Sequence, residues 1–382
     1  MSRAFHLDGV VQRYDWGGKL FIPELLGQQP TNQACAELWL GTHPKGMARV
    51  RETATSLGEH LAAEHYMLPF LLKVLDVRAS LSIQVHPDLA QAAEGFRREN
   101  EEGIPPDSPA RNYKDANHKP EVMVAVTPCV LLYGFSTADH IARRCAPFPS
   151  LEALVAALQE LSLDEVYRRV MRATHAELDR WLAPLLRDVL PRWRSGTLSG
   201  DDHLFWLARA ANEHGAESCR DPGLLALLMM NLVHVSPGEA IFQPARLPHA
   251  YLHGCNVELM ANSDNVLRGG LTSKHVDVDE LLDVVDVESV EPVAVPQDEL
   301  QPGLTRYRLP TNEFSLMRAR RALAIPKALL PRISIVLNMG ADCSLSVDGS
   351  SGYELRRGES LLVPAGAEVA ITGDAVDLFV AV

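Results

Sequence analysis

The chain has 382 residues, of which 47% are hydrophobic and 22% are charged, and its formal net charge is −13. A chain of this length can bury more than one hydrophobic core, and its length favours two or three domains. The acidic balance argues against nucleic-acid binding, because phosphate backbones are bound mainly by clustered Lys and Arg.

Residues 1–135 contain short strand-like runs separated by turn signals, a pattern typical of a β-sandwich or barrel. The predicted strands cover 37–41, 70–75, 81–85 and 121–126. Between the last two lies a polar stretch rich in Pro, which begins with a short predicted helix over 87–100. We expect this stretch to be a surface excursion near a functional site.

Residues 136–233 have apolar side chains at helical spacing, as in Leu151, Leu154 and Leu158. Ser150 and Ser162 are predicted helix starts, because each precedes a run that contains a Glu in its first turn. This segment is therefore predicted to be a helical domain inserted between two β segments.

The β pattern returns over 239–243 and continues, with a second clear run of strands from 333 to 382. The acidic, Pro-broken segment 285–302 is predicted to be a linker or an edge excursion. The predicted fold class is mainly β with an α insertion. The predicted domains are a discontinuous β domain (1–135 and 234–284), the helical insertion (136–233) and a C-terminal β domain (285–382).

A weak internal repeat relates these two β domains. Residues 238–244 (GEAIFQP) align with 358–364 (GESLLVP), and in this alignment His249 corresponds to Val369. The first copy thus keeps a potential metal ligand that the second copy lacks.

The cysteines and the N-terminus exclude two further classes of protein. The six cysteines show no CxxC or other paired spacing, so neither a disulfide framework nor a thiolate zinc site is predicted. No apolar run has the length of a signal peptide or a membrane span. We expect a cytoplasmic protein with reduced thiols and no membrane partner.

The strand predicted over 81–85 carries the first candidate ligands. Residues two apart in a strand share a face, so Ser82, Gln84 and His86 form one polar row opposite an apolar row. A lone His on a strand is more often a hydrogen-bonded, half-buried residue. A metal site therefore needs further ligands.

Glu121, at the start of a predicted strand, and His249, after a Pro-rich turn, are the candidates for those ligands. Together with Gln84 and His86 they form a set of N and O ligands that suits zinc or another first-row divalent ion. Only one of the four is anionic, which leaves positive charge on the ion to polarise a bound hydroxyl or carbonyl.

Several longer blocks resemble the signature blocks of type I mannose-6-phosphate isomerases, in the same order along the chain. The blocks are 14–17 (YDWG), 36–45 (AELWLGTHPK), 81–87 (LSIQVHP), 112–121 (NYKDANHKPE), 248–252 (PHAYL) and 258–268 (ELMANSDNVLR). The resemblance implies a zinc enzyme with cupin (jelly-roll) domains and an inserted helical domain. It also implies a substrate pair, mannose 6-phosphate and fructose 6-phosphate.

In that family one Gln, two His and one Glu bind a single zinc ion, and these positions correspond to Gln84, His86, Glu121 and His249. His43, His118 and His253 lie near the same blocks, but nothing in their spacing makes them ligands.

Isomerisation of an aldose to a ketose moves a proton between C2 and C1 through an enediol(ate), so the site needs a base and positive charge at the oxygens. By resemblance we assign Glu258 as the proton carrier and Arg268 as the cation beside the reacting oxygens, with Lys119 as a further cation. Alternatively, Glu258 is a surface carboxylate or a partner of Arg268, and Lys119 is a solvated surface charge.

A phosphate group is bound by Lys, Arg and hydroxyl donors. Lys73 lies among apolar neighbours, which is costly for an ammonium without an anion. By resemblance Lys73 and Ser82 are phosphate-site candidates, Lys274 is a further cation around the pocket, and Trp16 is a candidate wall of the sugar pocket. The alternatives are a solvated charge for Lys274 and a packing role for Trp16.

Two competing functions stay open at this point. A non-catalytic, sugar-phosphate-binding cupin would keep Lys73 and Ser82 but lose metal ligands or Arg268. A metal cupin of another chemistry, such as a dioxygenase, usually has His-rich ligation. We expect a small-molecule sugar phosphate as the substrate, no nucleic-acid partner, and a monomer.

Overall fold

The computed structural model describes residues 3–382, in which the strands form sheets of nine, ten and four strands. Every pairing between the named strands of these residues is antiparallel. The first strands are β1 (Phe5–Asp8), β2 (Val10–Gln12), β3 (Glu37–Leu40), β4 (Arg49–Val50), β5 (Thr55–Ser56), β6 (Phe70–Val77), β7 (Gln84–Val85), β8 (Glu121–Ala125) and β9 (Cys129–Phe135). The next are β10 (Met230–Val235), β11 (Ala240–Gln243), β12 (His249–Ala261) and β13 (Leu267–Arg268). The last are β14 (Gln297–Gln301), β15 (Leu304–Tyr307), β16 (Leu316–Ala319), β17 (Leu323–Ile325), β18 (Ser334–Asn338), β19 (Cys343–Val347), β20 (Ser350–Leu355), β21 (Ser360–Val363), β22 (Val369–Thr372) and β23 (Leu378–Ala381).

Most of the helical residues lie between β9 and β10, in the segment that is predicted to be helical. The α-helices are α1 (Phe21–Leu25), α2 (Leu57–Ala62), α3 (Leu89–Glu101), α4 (Ala138–Cys145), α5 (Glu152–Glu160), α6 (Leu163–Met171), α7 (His175–Arg194), α8 (His203–Glu213), α9 (Gly223–Met229) and α10 (Val278–Val284). No helix of residues 3–382 combines the length and the apolar character that crossing a membrane requires.

The long strand β12 is the centre of the ten-stranded sheet. It pairs with β6 and β8 over its second half and with β7 and β9 at its first residues. Its residues are almost all buried, because the sheet is covered on both faces. Residues far apart in sequence therefore meet along one strand.

The N-terminal strand β1 belongs to the sheet of the C-terminal segment. It pairs with β21 on one side and with β4 on the other, so β1, β4 and β5 extend the nine-stranded sheet. The predicted domain boundaries remain a prediction, but strand pairing links the segment before residue 57 to the segment after 285.

The internal repeat is visible in the backbone. Gly238 and Gly358 have positive φ values of 92° and 82°, and the strands β11 and β21 begin two residues after them. His249 and Val369 are the first residues of β12 and β22. The alignment of one β segment with the other is therefore confirmed at these positions.

Of three local predictions, only the helix start at Ser150 differs from the structure. Ser162 is the N-cap of α6, where its side chain and that of Glu165 form a capping box. Ser150 does not cap a helix, because it lies inside a 3₁₀ turn and its hydroxyl donates to the carbonyl of Trp181. Segment 285–302 ends in β14, the edge strand of the nine-stranded sheet, which agrees with the predicted edge excursion.

The predicted strand over 81–85 is reduced to the two residues of β7. The backbone N–H of Leu81 donates to Tyr251 and that of Ile83 donates to Gly270, so the chain bonds to two different neighbours before β7 begins. Pro87 has no N–H to extend the ladder beyond His86. The polar row of Ser82, Gln84 and His86 thus spans a bent segment.

Candidate metal centre and active-site cavity

Three of the four predicted ligands converge at one buried place. The nitrogen and oxygen atoms of His86, Glu121 and His249 that could bind a metal lie within 4.8 Å of one another. Nε2 of His86 is 3.5 Å from one carboxylate oxygen of Glu121, and Nε2 of His249 is 3.3 Å from the other. The cluster has the ligand types of a zinc site.

Strand register brings these residues together. Glu121 begins β8, which pairs with β12, and His249 begins β12. Gln84 lies opposite both His249 and Arg268 in the pairings of β7. Gln84 lines the same cavity as Glu121 and His249, and it stays the fourth predicted ligand.

Backbone carbonyls orient both imidazoles. Nδ1 of His86 bonds to the carbonyl of Asn265 at 2.7 Å, and Nδ1 of His249 bonds to that of Leu247 at 3.0 Å. A carbonyl only accepts, so each Nδ1 carries the proton and each Nε2 presents a lone pair to the cluster. This is the usual arrangement of metal-binding histidines.

The residues fit a divalent cation. Nε2 of His86 is buried and has no hydrogen-bond partner, a costly state that a bound cation relieves. Burial and the charge of Lys119 lower the pKa of His86 to about 4, so its ring is neutral at neutral pH. Burial opposes the charge of Glu121, but the charge of Lys119 holds the pKa of its carboxyl well below the usual range.

Lys119 is buried beside the cluster, with Nζ 3.0 Å from a carboxylate oxygen of Glu121. It lines a cavity of about 200 Å³ together with Gln84, Glu121 and His249. The alternative of a solvated surface charge is therefore excluded for Lys119.

Glu258 also lines this cavity, but both of its carboxylate oxygens are engaged. Lys73 donates to one oxygen at 2.9 Å and the hydroxyl of Tyr251 donates to the other at 2.8 Å. Glu258 is 3% exposed and lies opposite Lys73 in the pairing of β12 with β6. It is neither a surface carboxylate nor a partner of Arg268.

Lys73 is thus compensated by carboxylates of the protein. Desolvation opposes its charge, but Glu258 and Glu37 outweigh desolvation and raise the pKa of the ammonium. Its Nζ also lies 5.3 Å from the centre of the Trp39 ring. Lys73 faces the cavity without being a free cation.

Arg268, Lys274, Ser82 and Trp16 line an adjoining cavity of about 730 Å³. Arg268 and Lys274 line the smaller cavity as well. Desolvation lowers the pKa of Arg268, and no carboxylate of the described residues contributes to offset it. Arg268 therefore offers an uncompensated positive charge where the two cavities meet.

Sequence reasoning missed a charged group on the cavity wall. Asp264 bonds to Nε2 of His43 at 3.1 Å and to Nζ of Lys45 at 2.6 Å. Desolvation opposes its charge, but these partners lower the pKa of its carboxyl. All three residues lie inside the quoted blocks, which is the signal that could have identified them.

Three comparisons place the chain among known proteins. The family model described as phosphomannose isomerase type I, catalytic domain, matches residues 4–138. Mannose-6-phosphate isomerase of Shigella flexneri is 34% identical over 93% of each chain, and that of Escherichia coli K12 is 35% identical over 93% of each chain.

The fold is shared as well. A crystal structure of mannose 6-phosphate isomerase from Salmonella typhimurium, bound to its substrate fructose 6-phosphate and to zinc, superimposes with a TM-score of 0.85 and 30% identity. The match covers 99% of this chain and 98% of that chain.

Proposed function

Because the chain belongs to the type I mannose-6-phosphate isomerases, we propose that it is a zinc-dependent aldose–ketose isomerase that interconverts D-mannose 6-phosphate and D-fructose 6-phosphate. The buried cluster of His86, Glu121 and His249 at the wall of a charged cavity carries this proposal. The fold, mainly antiparallel β with a helical insertion, is the cupin type of this family.

The zinc ion, one per chain, would be held by Gln84, His86, Glu121 and His249. When bound, it supplies a Lewis-acid charge that polarises the substrate oxygens. Its single anionic ligand leaves most of that charge available.

The remaining charges suit proton transfer between C2 and C1. Arg268 stabilises negative charge on the oxygens of the enediol(ate), because no carboxylate among residues 3–382 contributes to offset its charge. Lys119 adds a second cation on the side of Glu121. Glu258 remains the predicted proton carrier, although its two hydrogen bonds favour a supporting role for its carboxylate.

The phosphate group is proposed to enter the larger cavity. Lys274 and Ser82 lie in that cavity with Arg268, and Trp16, which stacks on Tyr14 at 5.9 Å between ring centres, forms part of its wall. Lys73 lines only the smaller cavity and its charge is paired with Glu258, so we do not assign it to the phosphate group, in contrast to the prediction from the sequence.

A coupled assay that converts mannose 6-phosphate into fructose 6-phosphate tests the function. We expect turnover by the zinc-loaded protein and loss of turnover on addition of a chelator. His249→Ala should lose both zinc and activity, because it removes a ligand. Arg268→Ala should bind zinc normally but lose turnover by about 100-fold or more, the cost of removing one group that stabilises an oxyanion.

His140→Ala is the matched control, since His140 is exposed on α4 and should keep zinc and activity. Full activity of a metal-free His249→Ala protein would contradict the assignment of zinc as the cofactor. Binding of the sugar phosphate without turnover would favour the non-catalytic alternative.

We also propose that the protein is monomeric and cytoplasmic. Sedimentation velocity over a range of concentrations tests the first point, and a mass of 42.0 kDa is expected. Cell fractionation tests the second.

A further inference from the structure

Asn265 lies at the centre of a hydrogen-bond network beside the metal centre. It follows β12, two residues before β13, and its side chain is 0% exposed. A buried primary amide needs partners for two N–H donors and for its oxygen.

Every one of these groups is used, and all the partners lie in residues 114–117. Oδ1 accepts from the backbone N–H of Lys114 at 2.7 Å and of Asp115 at 3.2 Å. Nδ2 donates to the carbonyls of Asp115 at 2.8 Å and Asn117 at 2.9 Å, and to the Asp115 carboxylate at 3.3 Å. Because N–H groups face one side of the amide and carbonyls the other, its orientation is determined.

The backbone of Asn265 contacts the metal centre directly. Its carbonyl accepts the hydrogen bond from Nδ1 of His86 at 2.7 Å. One residue therefore connects a proposed zinc ligand to the segment that leads into Lys119 and Glu121.

Lys119 lies between two anchors of that segment. On one side Asn265 and the hydroxyl of Ser263 hold the carbonyl of Asn117. On the other side the N–H of Ala261 holds the carbonyl of Pro120, where β8 begins. Glu121 is fixed by its strand, whereas the path of the chain up to Lys119 depends on the Asn117 anchor.

We propose that Asn265 is a positioning residue for the isomerisation. Its contacts fix the position of the His86 ring and the backbone path up to Lys119, and therefore the placement of these two residues relative to each other at the metal centre. This role rests on the proposed function. It acts through hydrogen bonds to other residues and requires no contact between Asn265 and the substrate. Outer partners of metal ligands typically change metal affinity or activity by about 10- to 100-fold.

Asn265→Ala tests this role with three measurements. The substitution keeps the backbone carbonyl that binds His86 but removes the bonds that hold it in place, so the zinc dissociation constant, measured by competition with a chelator, should rise. At saturating zinc, kcat should fall by about 10- to 100-fold while KM stays within about twofold, because the proposed phosphate site is elsewhere. Amide hydrogen exchange should accelerate in residues 112–121.

Asn262→Ala is the matched control from the same loop, because the Asn262 side chain donates a long hydrogen bond, to Thr42 at 3.5 Å. It should leave all three measurements unchanged. If Asn265→Ala does not fold, Ser263→Ala tests the proposal instead. This substitution removes only the hydrogen bonds of the Ser263 hydroxyl to the Asn117 carbonyl and the Asn265 N–H. The same changes at a smaller size are expected.

Normal zinc affinity, normal kcat and unchanged exchange in a folded Asn265→Ala or Ser263→Ala protein would overturn the proposal. Failure of the proposed function is a separate outcome, because the parent protein would then lack isomerase activity. The zinc and exchange measurements would still judge whether Asn265 positions His86 and the 112–121 segment.

Discussion

At the scale of single residues, the pair of Lys73 and Glu258 places two buried charges in the cavity, at a large cost in desolvation free energy. The side chains are 8% and 4% exposed, and their charged atoms are 2.9 Å apart. Desolvating two charges costs several kcal/mol each, and their mutual attraction offsets this only when the geometry and the remaining hydrogen bonds are good. Here the hydroxyl of Tyr251 donates a hydrogen bond to the second carboxylate oxygen of Glu258, and the side-chain amide of Gln243 donates to that hydroxyl.

Glu258→Gln should lower the free energy of unfolding by about 3 kcal/mol, because it leaves the buried ammonium of Lys73 without an anion at that position. Urea denaturation of the metal-free protein measures this loss. Asp279→Asn is the control: its pair with Arg172 is exposed, so a change of less than about 1 kcal/mol is expected. A Glu258→Gln protein with normal stability and no turnover would instead support the proton-carrier role.

At the scale of secondary-structure elements, hydrogen bonds from α4 and α8 meet at the start of β10, next to the end of α9. Nε2 of His203, the first residue of α8, bonds to the carbonyl of Met230 at 3.0 Å. Arg144 of α4 donates to the same carbonyl at 3.0 Å and to that of Leu228, in α9, at 2.6 Å. Helix packing around this junction therefore depends on a neutral imidazole beside a guanidinium.

This junction should make stability depend on pH. Desolvation and the charge of Arg144 lower the pKa of His203 from 6.5 to about 4, so the folded state binds the proton less tightly than the unfolded state. The contribution is fully present above pH 6.5 and is lost as the pH falls towards 4. Its size is on the order of 3 kcal/mol.

The difference in unfolding free energy between the parent and His203→Gln isolates this contribution, because other histidines titrate in both proteins. The difference should shrink from pH 7 to pH 4 when measured by urea denaturation. His140→Gln, at an exposed site, should show no such trend. A pH-independent difference for His203→Gln would contradict the assignment.

At the scale of the whole molecule, the C-terminal segment is fastened to the N-terminal segment by strand pairing and by a close backbone approach. β1 lies between β21 and β4 in one sheet. Gly358, just before β21, packs against the end of α1, where a Cβ atom would overlap the carbonyl of Leu25. The C-terminal segment thus stabilises the N-terminal segment, which contains the predicted ligands Gln84, His86 and Glu121.

Gly358→Ala should lower the free energy of unfolding by more than about 2 kcal/mol, because it adds a steric overlap to the strain of a positive φ. Gly27→Ala is the matched control. Gly27 also has a positive φ, of 64°, but a Cβ there would meet no atom within 4 Å. Its cost should be the strain alone, about 1 kcal/mol. Equal losses in the two variants would show that the contact with α1 is unimportant.

The sequence by itself determined the features that depend on neighbouring residues and on short blocks. The capping box at Ser162 and the repeat of Gly238 with Gly358 follow from local chemistry and spacing, whereas the family and its ligand set come from the resemblance of several blocks. Three of the four predicted ligands converge, and the fourth, Gln84, lines the same cavity. Short-range rules suffice for caps and turns, because these are built from residues within a few positions of one another.

Only the tertiary structure decided how distant charges are paired. Three such contacts join residues more than a hundred positions apart: Glu258 with Lys73, Asp264 with His43, and Asn265 with Asn117 in the segment before Lys119. Strand register sets which side chains face each other, and register is a property of the assembled sheet. For this reason a carboxylate and an ammonium that the sequence offers as separate reactive groups form one buried pair in the fold.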